Sequence, residues 1–504
     1  MPVSRRVIAG IALLTLSGVV VSASTGRDDL TPKDKARVEA VTAPAETFED
    51  AEKFEAMPAG ATTVKKIVHR DIFSHPSANL SFERRETFSV GNGLFRKDWV
   101  TAPSSTQASD GLGPLFNARS CQGRHLKDGR GHPPASAEDD AVSMLVRLSV
   151  PPSTEAERQL LADRKVLALA EPTYGTQLQD FAVPGLPSEG RVKITYEDVP
   201  VDLNGGETVT LRKPTLEIVE PGFGPMRPDT MLSARIAQPM IGLGLLEAVA
   251  DSDILARADP DDADGDGISG RPSMVRNAET GDIMLGRFGW KAIQPTIREQ
   301  TAHAFNGDMG LSSPPMLNPY GDCMDAQAIC LDQPNGIQTA LGAEEVPGDL
   351  LDLVVFYSAN LAVPQRRDVD DPQVLAGKAE FYAAGCVACH TPKYVTRRDA
   401  EREALRFQLI WPYTDMLLHD MGEDLADNRP EGDADGREWR TQPLWGIGLT
   451  QTVNEEAMFL HDGRARTILE AILWHGGEAR DARDRVVSMT PEERANLIRF
   501  LESL

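Results

Sequence analysis

Positive charge, long apolar runs and cysteine are all scarce in this sequence. The chain of 504 residues has 52 basic and 76 acidic side chains and a formal net charge of −24, which makes nucleic acids and anionic membrane surfaces poor partners. After residue 23 no apolar run approaches the length that spans a bilayer, so we expect no membrane anchor in the mature chain. The 5 cysteines are an odd number, so disulfides within the chain cannot account for all of them.

The N-terminus is the exception to the shortage of apolar runs. In residues 1–23, Arg5 and Arg6 precede an apolar segment that ends in small residues. This order of charge, apolar run and small residues predicts a secretory signal peptide, and hence export. The polar residues 24–64 predict a flexible N-terminal extension, and the remaining length is enough for two or three domains.

A cysteine pair followed directly by histidine lies in the C-terminal part of the chain. Cys386 and Cys389 are separated by two residues, and His390 comes next. This CxxCH pattern is typical of covalent haem attachment, in which each thiol adds to a vinyl group and the histidine ligates the iron. A zinc half-site is the alternative, but it needs a second Cys/His pair at close spacing, which the sequence lacks. Because c-type haem is attached outside the bacterial cytoplasm, the motif and the export signal together predict a periplasmic protein.

The other cysteines fall in two places. Cys323 and Cys330 are seven positions apart in a loop-like stretch, which predicts a local disulfide in an oxidising compartment. Cys121 is left over; it begins a five-residue segment that ends in His125 and has Arg124 where a second cysteine would stand. One thioether can still hold a haem, with His125 as the axial ligand. A free cysteine near an unrelated histidine is the alternative.

Between about residues 140 and 250 apolar and polar residues alternate, which predicts a β-containing insertion. Just after it, Asp262, Asp264 and Asp266 are spaced like the first ligands of a calcium loop. The twelfth position of such a loop is Ser273 instead of an acidic residue, so an EF-hand would be incomplete. Calcium binding and an Asp/Gly-rich turn therefore both stay open as interpretations of this loop.

A histidine near the C-terminus lies on the apolar face of a predicted helix. Thr467 and Glu470 form a capping-box pattern, which predicts that a helix begins there. Ile468, Ile472 and His475 then share one face at helical spacing, so His475 points inward. It is either a structural core histidine or the second axial ligand of a nearby iron.

Several segments together resemble a known family. In addition to the CxxCH motif, they are residues 111–121, 266–272, 286–292, 413–422 and 460–467. These segments are similar to the bacterial dihaem oxidoreductases known as peroxidases or thiol oxidoreductases, over a range from about residue 65 to the C-terminus. More distantly, the C-terminal part resembles dihaem cytochrome c peroxidases, the dihaem enzyme that matures a tryptophan-derived quinone cofactor, and the haem rubber oxygenases.

The resemblance implies a mainly α fold with two cytochrome c-like haem domains and one haem c in each. The N-terminal domain would cover residues 65–364 and include the β-containing insertion, and the C-terminal domain would cover residues 371–504. Under the thiol oxidoreductase description, the cysteines of the predicted disulfide are an alternative redox pair. Their spacer is longer than that of the tight CxxC form, which favours a structural disulfide.

The resemblance also implies roles for single residues. His475 matches the position that supplies the sixth ligand to the C-terminal haem, so bis-histidine coordination by His390 and His475 is expected. Trp290 matches a tryptophan between the haems. His303 and Phe305 would line the distal side of the first haem, where phenylalanine leaves the iron open and histidine acts as acid/base or closes the site.

The sequence departs from the family at Arg124, where the pattern has the second cysteine of CxxCH. If the first haem is kept, Cys121 alone attaches it, and Arg124 is placed to pair with a propionate. If it is lost, the protein is a monohaem electron carrier.

The function that follows is peroxide reduction at the N-terminal haem, with electrons that a small redox protein delivers through the C-terminal haem. An electron-transfer cytochrome without peroxidase activity is one alternative. A haem oxygenase that uses dioxygen on an apolar substrate is the other.

Overall fold

The structure is a computed structural model that describes residues 26–136, 139, 142–340 and 342–504. The predicted signal peptide of residues 1–23 lies outside the described residues. Within these residues, no helix has both the length and the apolar character needed to cross a membrane.

Helices occur along the whole described chain. In chain order the α-helices are α1 (Pro32–Thr42), α2 (Phe82–Phe95), α3 (Cys121–Arg124), α4 (Glu155–Ala162), α5 (Leu243–Glu247), α6 (Asp251–Leu255), α7 (Ile297–Met309), α8 (Ala328–Leu331), α9 (Gly348–Ala359), α10 (Pro372–Ala383), α11 (Thr450–Val453), α12 (Ile468–Leu473), α13 (Arg480–Ser488) and α14 (Pro491–Ser503). Short 3-10 helices occupy Gly60–Thr62, Ile72–Ser74, Leu126–Asp128, Cys386–Ala388, Glu403–Leu405, Ile447–Leu449 and Gly477–Ala479.

Strands form separate two-stranded sheets. They are β1 (Val100–Thr101), β2 (Asp110–Leu112), β3 (Leu115–Phe116), β4 (Met144–Ser149), β5 (Phe181–Ala182), β6 (Arg191–Asp202), β7 (Thr208–Val219), β8 (Met231–Ile236), β9 (Met274–Arg276), β10 (Ile283–Leu285), β11 (Tyr394–Val395), β12 (Leu409–Ile410), β13 (Leu418–Asp420) and β14 (Glu438–Arg440). The pairs are β1 with β2, β3 with β5, β4 with β8, β6 with β7, β9 with β10, β11 with β12 and β13 with β14. The first pair is parallel and the others are antiparallel.

The prediction of a mainly α fold is wrong. The structure is 30% helical and 17% strand, with several small sheets. Strands are not confined to the predicted insertion, because β9 with β10, β11 with β12 and β13 with β14 all lie outside it. Most of these outer strands have two or three residues, which is too short for the two-residue alternation that marks a strand in sequence.

The ends of the C-terminal helices follow their capping residues. Asp371 caps α10, and Pro372 takes its first position. The Thr467 hydroxyl accepts a hydrogen bond from Glu470 N at 3.1 Å, so α12 begins where the sequence predicts. The Glu470 carboxylate accepts from Arg466 N instead of Thr467 N, so only half of the predicted capping box forms.

The largest hydrophobic core joins residues from the two predicted domains, on both sides of the charged segment 365–371. From the N-terminal side it includes Phe88, Phe305 and Val354, and from the C-terminal side Tyr394, Trp445 and Leu449. A second core lies between α10 and α14 and includes Val374, Phe381, Leu497 and Phe500. The two halves of the chain are therefore packed together, and α10 with α14 supports the segment that follows α10.

The β6–β7 hairpin connects the predicted insertion to the C-terminal part of the chain. Each strand has 12 residues, and the tip packs into a core that includes Leu203, Leu211, Leu473 and Trp474. Asn204 N at the hairpin tip donates a hydrogen bond to Val487 O of α13 at 3.0 Å. The hairpin tip therefore packs against the end of α12, just before His475, and is hydrogen-bonded to α13, which follows His475.

Replacing Leu211 with alanine should lower the free energy of unfolding by about 2 to 5 kcal/mol, because it leaves a cavity under the hairpin tip. Leu211 is 2% exposed, whereas Leu160 on α4 is 38% exposed and serves as the matched control. Leu160→Ala should change stability by less than about 0.5 kcal/mol. Denaturant unfolding of both variants measures the difference, and equal effects would mean that the hairpin tip is not packed in solution.

Candidate functional site

The CxxCH segment forms a tight turn at the end of α10. Gly385 has a φ of 86°, a left-handed conformation that lets the chain turn directly into the 3-10 helix of Cys386–Ala388. His390 N then donates to Cys386 O at 2.9 Å. This hydrogen bond fixes the histidine four residues after the first cysteine, with Cys389 beside it.

The His390 ring is oriented by the backbone. Its Nδ1 lies 2.9 Å from Tyr413 O, which leaves Nε2 available as a ligand atom. Burial lowers the pKa of His390 to about 4, so the imidazole is neutral at physiological pH. A neutral ring with one nitrogen fixed by a carbonyl is the form that ligates a metal ion.

His475 lies at the end of α12 and has the same kind of orientation. Its Nδ1 is 2.7 Å from Ala471 O, and burial lowers its pKa. His475 and His390 line one cavity of about 550 Å³, together with Cys386 and Cys389. The structure thus brings the four predicted C-terminal residues together.

Cys121 and His125 repeat this local geometry in the N-terminal half. His125 N donates to Cys121 O at 2.9 Å, and His125 Nδ1 lies 2.8 Å from Gln238 O. Burial lowers the pKa of His125 to about 4 and raises the pKa of the Cys121 thiol to about 12. The thiol is therefore neutral, which disfavours a role as a free thiolate nucleophile. Neither residue lines the cavity that contains His390, so the two segments form separate sites.

Arg124 fills the position of the missing second cysteine. Its side chain is 5% exposed, and its Nε lies 3.1 Å from Asp308 Oδ2 on α7. The guanidinium nitrogens are buried and have no hydrogen-bond partner among the described residues, so the ion pair with Asp308 is the contact that balances their charge. Asp308, which the sequence analysis missed, is thus the acidic residue of α7 beside the first site.

His303 and Phe305 do not share a wall of one pocket. They are two positions apart on α7, which places them on nearly opposite sides of the helix. Phe305 packs in the largest core with its ring centroid 6.2 Å from that of Trp99. His303 is buried, which lowers its pKa to about 4, and the charged groups that act on it are Arg147 and Glu431.

Trp290 lines the cavity that contains His390, and its Nε1 donates to Ile236 O at 3.0 Å. Two other aromatic groups, to which the sequence analysis assigns no role, lie on the same wall. His461 stacks on Trp439 with ring centroids 3.8 Å apart and an interplanar angle of 13°, and it meets Trp290 edge-on at 6.4 Å. Trp439 and His461 are 22 positions apart in the sequence, and no pattern in either segment indicates that the two rings are in contact.

His419 also lines this cavity and lies next to an attachment cysteine, although the sequence analysis assigns it no role. Its Nε2 is 2.8 Å from Asp415 Oδ2, and its Nδ1 is 2.6 Å from Glu478 Oε2 and 3.5 Å from Cys389 Sγ. Burial opposes a charge on the ring, but the interactions with Asp415 and Cys389 together outweigh it and raise the pKa of His419 well above its ordinary value. His419 is therefore an imidazolium between two carboxylates.

The acidic loop gathers a different set of aspartates from the predicted one. Carboxylate oxygens of Asp259, Asp262 and Asp264 lie within 4.8 Å of one another, whereas Asp266 is not in this group. Asp259 also accepts from Ala263 N at 2.8 Å, a hydrogen bond that suits a turn as well as an ion site. Calcium binding stays a prediction. The local disulfide between Cys323 and Cys330, by contrast, is confirmed.

The sequence matches a family model over most of its length. That model is described as "Di-haem oxidoreductase, putative peroxidase" and matches residues 53–504. The chain belongs to this family. Membership implies haem cofactors and supports a redox, peroxidase-like role.

One solved structure with detectable similarity is hydrazine synthase of Kuenenia stuttgartiensis pressurised with xenon. The match has 12% sequence identity and a TM-score of 0.27, and it covers 71% of this chain and 90% of that chain. Similarity at this level carries no argument about the present protein. A comparison with curated proteins finds no match.

The donor groups of both sites fit haem. The C-terminal cavity offers two thiols, two neutral imidazoles with Nε2 available, and the buried guanidinium of Arg130, whose Nε has no hydrogen-bond partner in the described residues. These groups suit two vinyl groups, two axial positions and an anionic edge, respectively. The N-terminal segment offers one thiol and one such imidazole, at Cys121 and His125, which suits attachment through a single thioether.

Proposed function

We propose that this protein is an exported c-type dihaem oxidoreductase that reduces peroxide at its N-terminal site. Cys121 and His125 would hold the first haem, and Cys386, Cys389 and His390 the second. Bound haem iron supplies electron transfer and, where a coordination position is open, a place for peroxide to bind.

The observation that carries this proposal is the repeated geometry of the two histidines. In both segments the histidine N–H bonds the carbonyl of the cysteine four residues earlier at 2.9 Å. In both, Nδ1 lies 2.8 or 2.9 Å from a backbone carbonyl, at Gln238 for His125 and at Tyr413 for His390. An unrelated histidine beside a free cysteine has no reason to share all of these features with a haem-binding segment.

The two sites differ in whether a second side chain can ligate the iron, and this difference suggests different roles for them. His475 supplies a second imidazole at the C-terminal site, so that iron is suited to relay electrons. On α7, Phe305 belongs to the core against which Cys121 packs, and its side chain has no ligand atom. Asp308 on the same helix places a carboxylate beside the N-terminal segment and is our choice for the group that handles protons there.

Trp290 is suited to conduct electrons between the sites. It lines the C-terminal cavity, and its indole N–H is fixed on Ile236 O at the end of β8. The next residues along the chain include Gln238, whose carbonyl orients His125. The indole is therefore tied through a short backbone segment to the N-terminal site.

The proposed function includes export to the periplasm and a redox partner in that compartment. The N-terminal signal sequence would send the chain to the periplasm, where c-type haem attachment takes place. The electron donor would be a small redox protein of that compartment, and the acceptor would be peroxide. Nucleic acid and anionic membranes stay poor partners for a chain with a net charge of −24.

An electron-transfer cytochrome is the second candidate, and Arg124 is the observation that favours it. The buried guanidinium stands where a second thioether would form, and it is held beside Asp308. If this substitution prevents attachment, the N-terminal segment is empty and the protein carries electrons through one haem.

Haem stoichiometry and peroxide consumption test the two candidates together. On protein matured in a periplasm, we expect two haems per chain that both survive denaturation, measured by iron content and intact mass. The reduced protein should consume peroxide with two electrons and two protons for each molecule converted to water. One haem per chain without peroxide consumption would reject the proposal in favour of the electron carrier.

A further inference from the structure

Arg130 is a buried charge without a carboxylate partner. It lines the cavity that contains His390, and it is 6% exposed. Its Nε is buried without a hydrogen-bond partner, and no ion pair of Arg130 is described in the structure. The guanidinium has five N–H donors, and Trp290 and Phe459, with ring centroids 5.7 and 5.9 Å away, offer it only π faces.

The other buried arginines of this region have ion-pair or hydrogen-bond partners for their guanidinium groups. Arg235 pairs with Glu431 and lies 3.6 Å from Asp427, and Arg429 pairs with Glu431 at 3.0 Å. Arg440, on the same cavity wall as Arg130, donates hydrogen bonds to Gly289 O at 2.9 Å and to Gln442 Oε1 at 2.8 Å. An unpaired buried charge is costly, so the arrangement at Arg130 calls for an anion within the cavity.

We propose that Arg130 binds a carboxylate inside this cavity, and that the carboxylate is a propionate of the haem held by His390. This inference rests on the proposed haem binding at that site. Haem has two anionic propionates on one edge, and the wall around Arg130 is largely apolar, including Trp290, Phe459 and Leu460. A charged edge that enters such a cavity is stabilised by a charge-assisted hydrogen bond from a guanidinium.

The backbone around Arg130 connects the two proposed haem sites. Arg130 lies five residues after His125, in the N-terminal half. Gly131 N donates to Ala237 O at 3.0 Å, and the next residue, Gln238, provides the carbonyl that orients His125. Asn454 Nδ2 donates to Arg130 O at 3.0 Å and fixes the backbone from the C-terminal side. Arg130 is therefore a positioning residue that ties the loop of one haem site to the haem of the other.

The test compares the reduction potential of the C-terminal haem in the wild-type holoprotein and in Arg130→Gln, from about pH 6 to about pH 8. Loss of the cation favours the ferric state and leaves the propionate free to take up a proton, so the variant's potential should fall and vary more strongly with pH. The wild-type potential should vary less with pH in this range, because the bound propionate stays ionised. Intact mass should show the same covalent haem content in both proteins.

Two further variants separate charge from packing. Arg130→Lys keeps the charge with fewer donors and should give a smaller shift than Arg130→Gln. Arg480 also lines this cavity but is exposed, so Arg480→Gln makes the same change of charge in contact with solvent and should leave the potential unchanged. If Arg130→Gln does not fold, Arg130→Lys carries the test, and a potential of Arg130→Lys equal to that of the wild type at every pH would overturn the proposal.

A soluble carboxylate is the other source of the same chemistry, and sodium acetate is the probe for it. Under the proposal, acetate leaves the wild-type potential and absorption spectrum unchanged. A change with acetate in the wild type that is absent in Arg130→Gln would assign the carboxylate to solution and overturn the propionate assignment. An unchanged potential in Arg130→Gln at normal haem content rejects only this inference, whereas absence of the C-terminal haem from the wild type rejects the proposed function.

Discussion

Cys121→Ser is expected to remove one of two covalently bound haems and to abolish peroxide reduction. The serine hydroxyl cannot form a thioether, and Arg124 occupies the position of the second cysteine, so no other thiol of the segment can replace Cys121. The C-terminal haem should stay attached through Cys386 and Cys389. Intact mass under denaturing conditions should fall by one haem per chain, and peroxide consumption by the reduced protein should fall to background.

Arg124→Cys is the matched variant for this experiment. It restores the CxxCH pattern and should allow a second thioether at the N-terminal haem, because Cys121 and His125 already have the geometry of the C-terminal segment. Haem content should stay at two, while the haemochrome spectrum should lose the contribution of an unreacted vinyl group. The half-buried Asp308 carboxylate would lose its ion pair with Arg124, so we also expect lower stability.

The Cys121 prediction has two outcomes that would contradict it. If the serine variant keeps two covalent haems, the N-terminal haem is attached elsewhere. If it loses one haem but still reduces peroxide at the wild-type rate, the reaction takes place at the C-terminal site. The second result would transfer the catalytic role to the cavity that contains His390 and leave the N-terminal haem as the electron relay.

The parts of the site that could be predicted from sequence are those set by local spacing. Cys386, Cys389 and His390 lie within five residues, and a single turn brings them together whatever the rest of the chain does. The inward position of His475 could be predicted because helical periodicity extends the apolar face of α12 to it, although α12 itself ends at Leu473, two residues earlier. The half-formed capping box did not matter, since Thr467 alone fixes the start of that helix.

The parts that could not be predicted depend on contacts between distant segments. Arg130 lies in the N-terminal half, but it lines a cavity that is otherwise built mostly by residues after 380. The stacking of His461 on Trp439 brings together two strings with no shared pattern. At α7, helical geometry already separates His303 from Phe305, and only the fold reveals that Asp308 is the residue beside Arg124.

The prediction of a mainly α fold was wrong because many of the strands are held by contacts between distant segments. A two-stranded pair such as β11 with β12 consists of two residues on each side, held by backbone hydrogen bonds between loops. Such pairs have no hydrophobic period, and the chain between helices looked irregular as a result. The long strands β6 and β7 alternate over 12 residues each and were visible, because half of their side chains face a core.

His475→Ala is expected to open the sixth position of the C-terminal iron while leaving that haem covalently attached. The His475 ring is oriented by Ala471 O at 2.7 Å and, being neutral, is ready to bind a metal ion. Its removal should convert a six-coordinate, low-spin spectrum into a five-coordinate, high-spin one. Axial ligands tune haem potentials over about 0.8 V, so a large change of reduction potential should accompany the spectral change.

His461→Ala is the matched control for His475→Ala, because both histidines are buried on the wall of the same cavity. His461 stacks on Trp439 and has no assigned ligand role, so its loss should cost stability without changing the spin state. If His475→Ala stays low-spin, another side chain provides the sixth ligand. If both variants turn high-spin, the effect comes from disruption of the cavity, and the assignment of His475 fails. A high-spin His475→Ala beside a low-spin His461→Ala would identify His475 as the sixth ligand, which leaves this iron without an open position for peroxide.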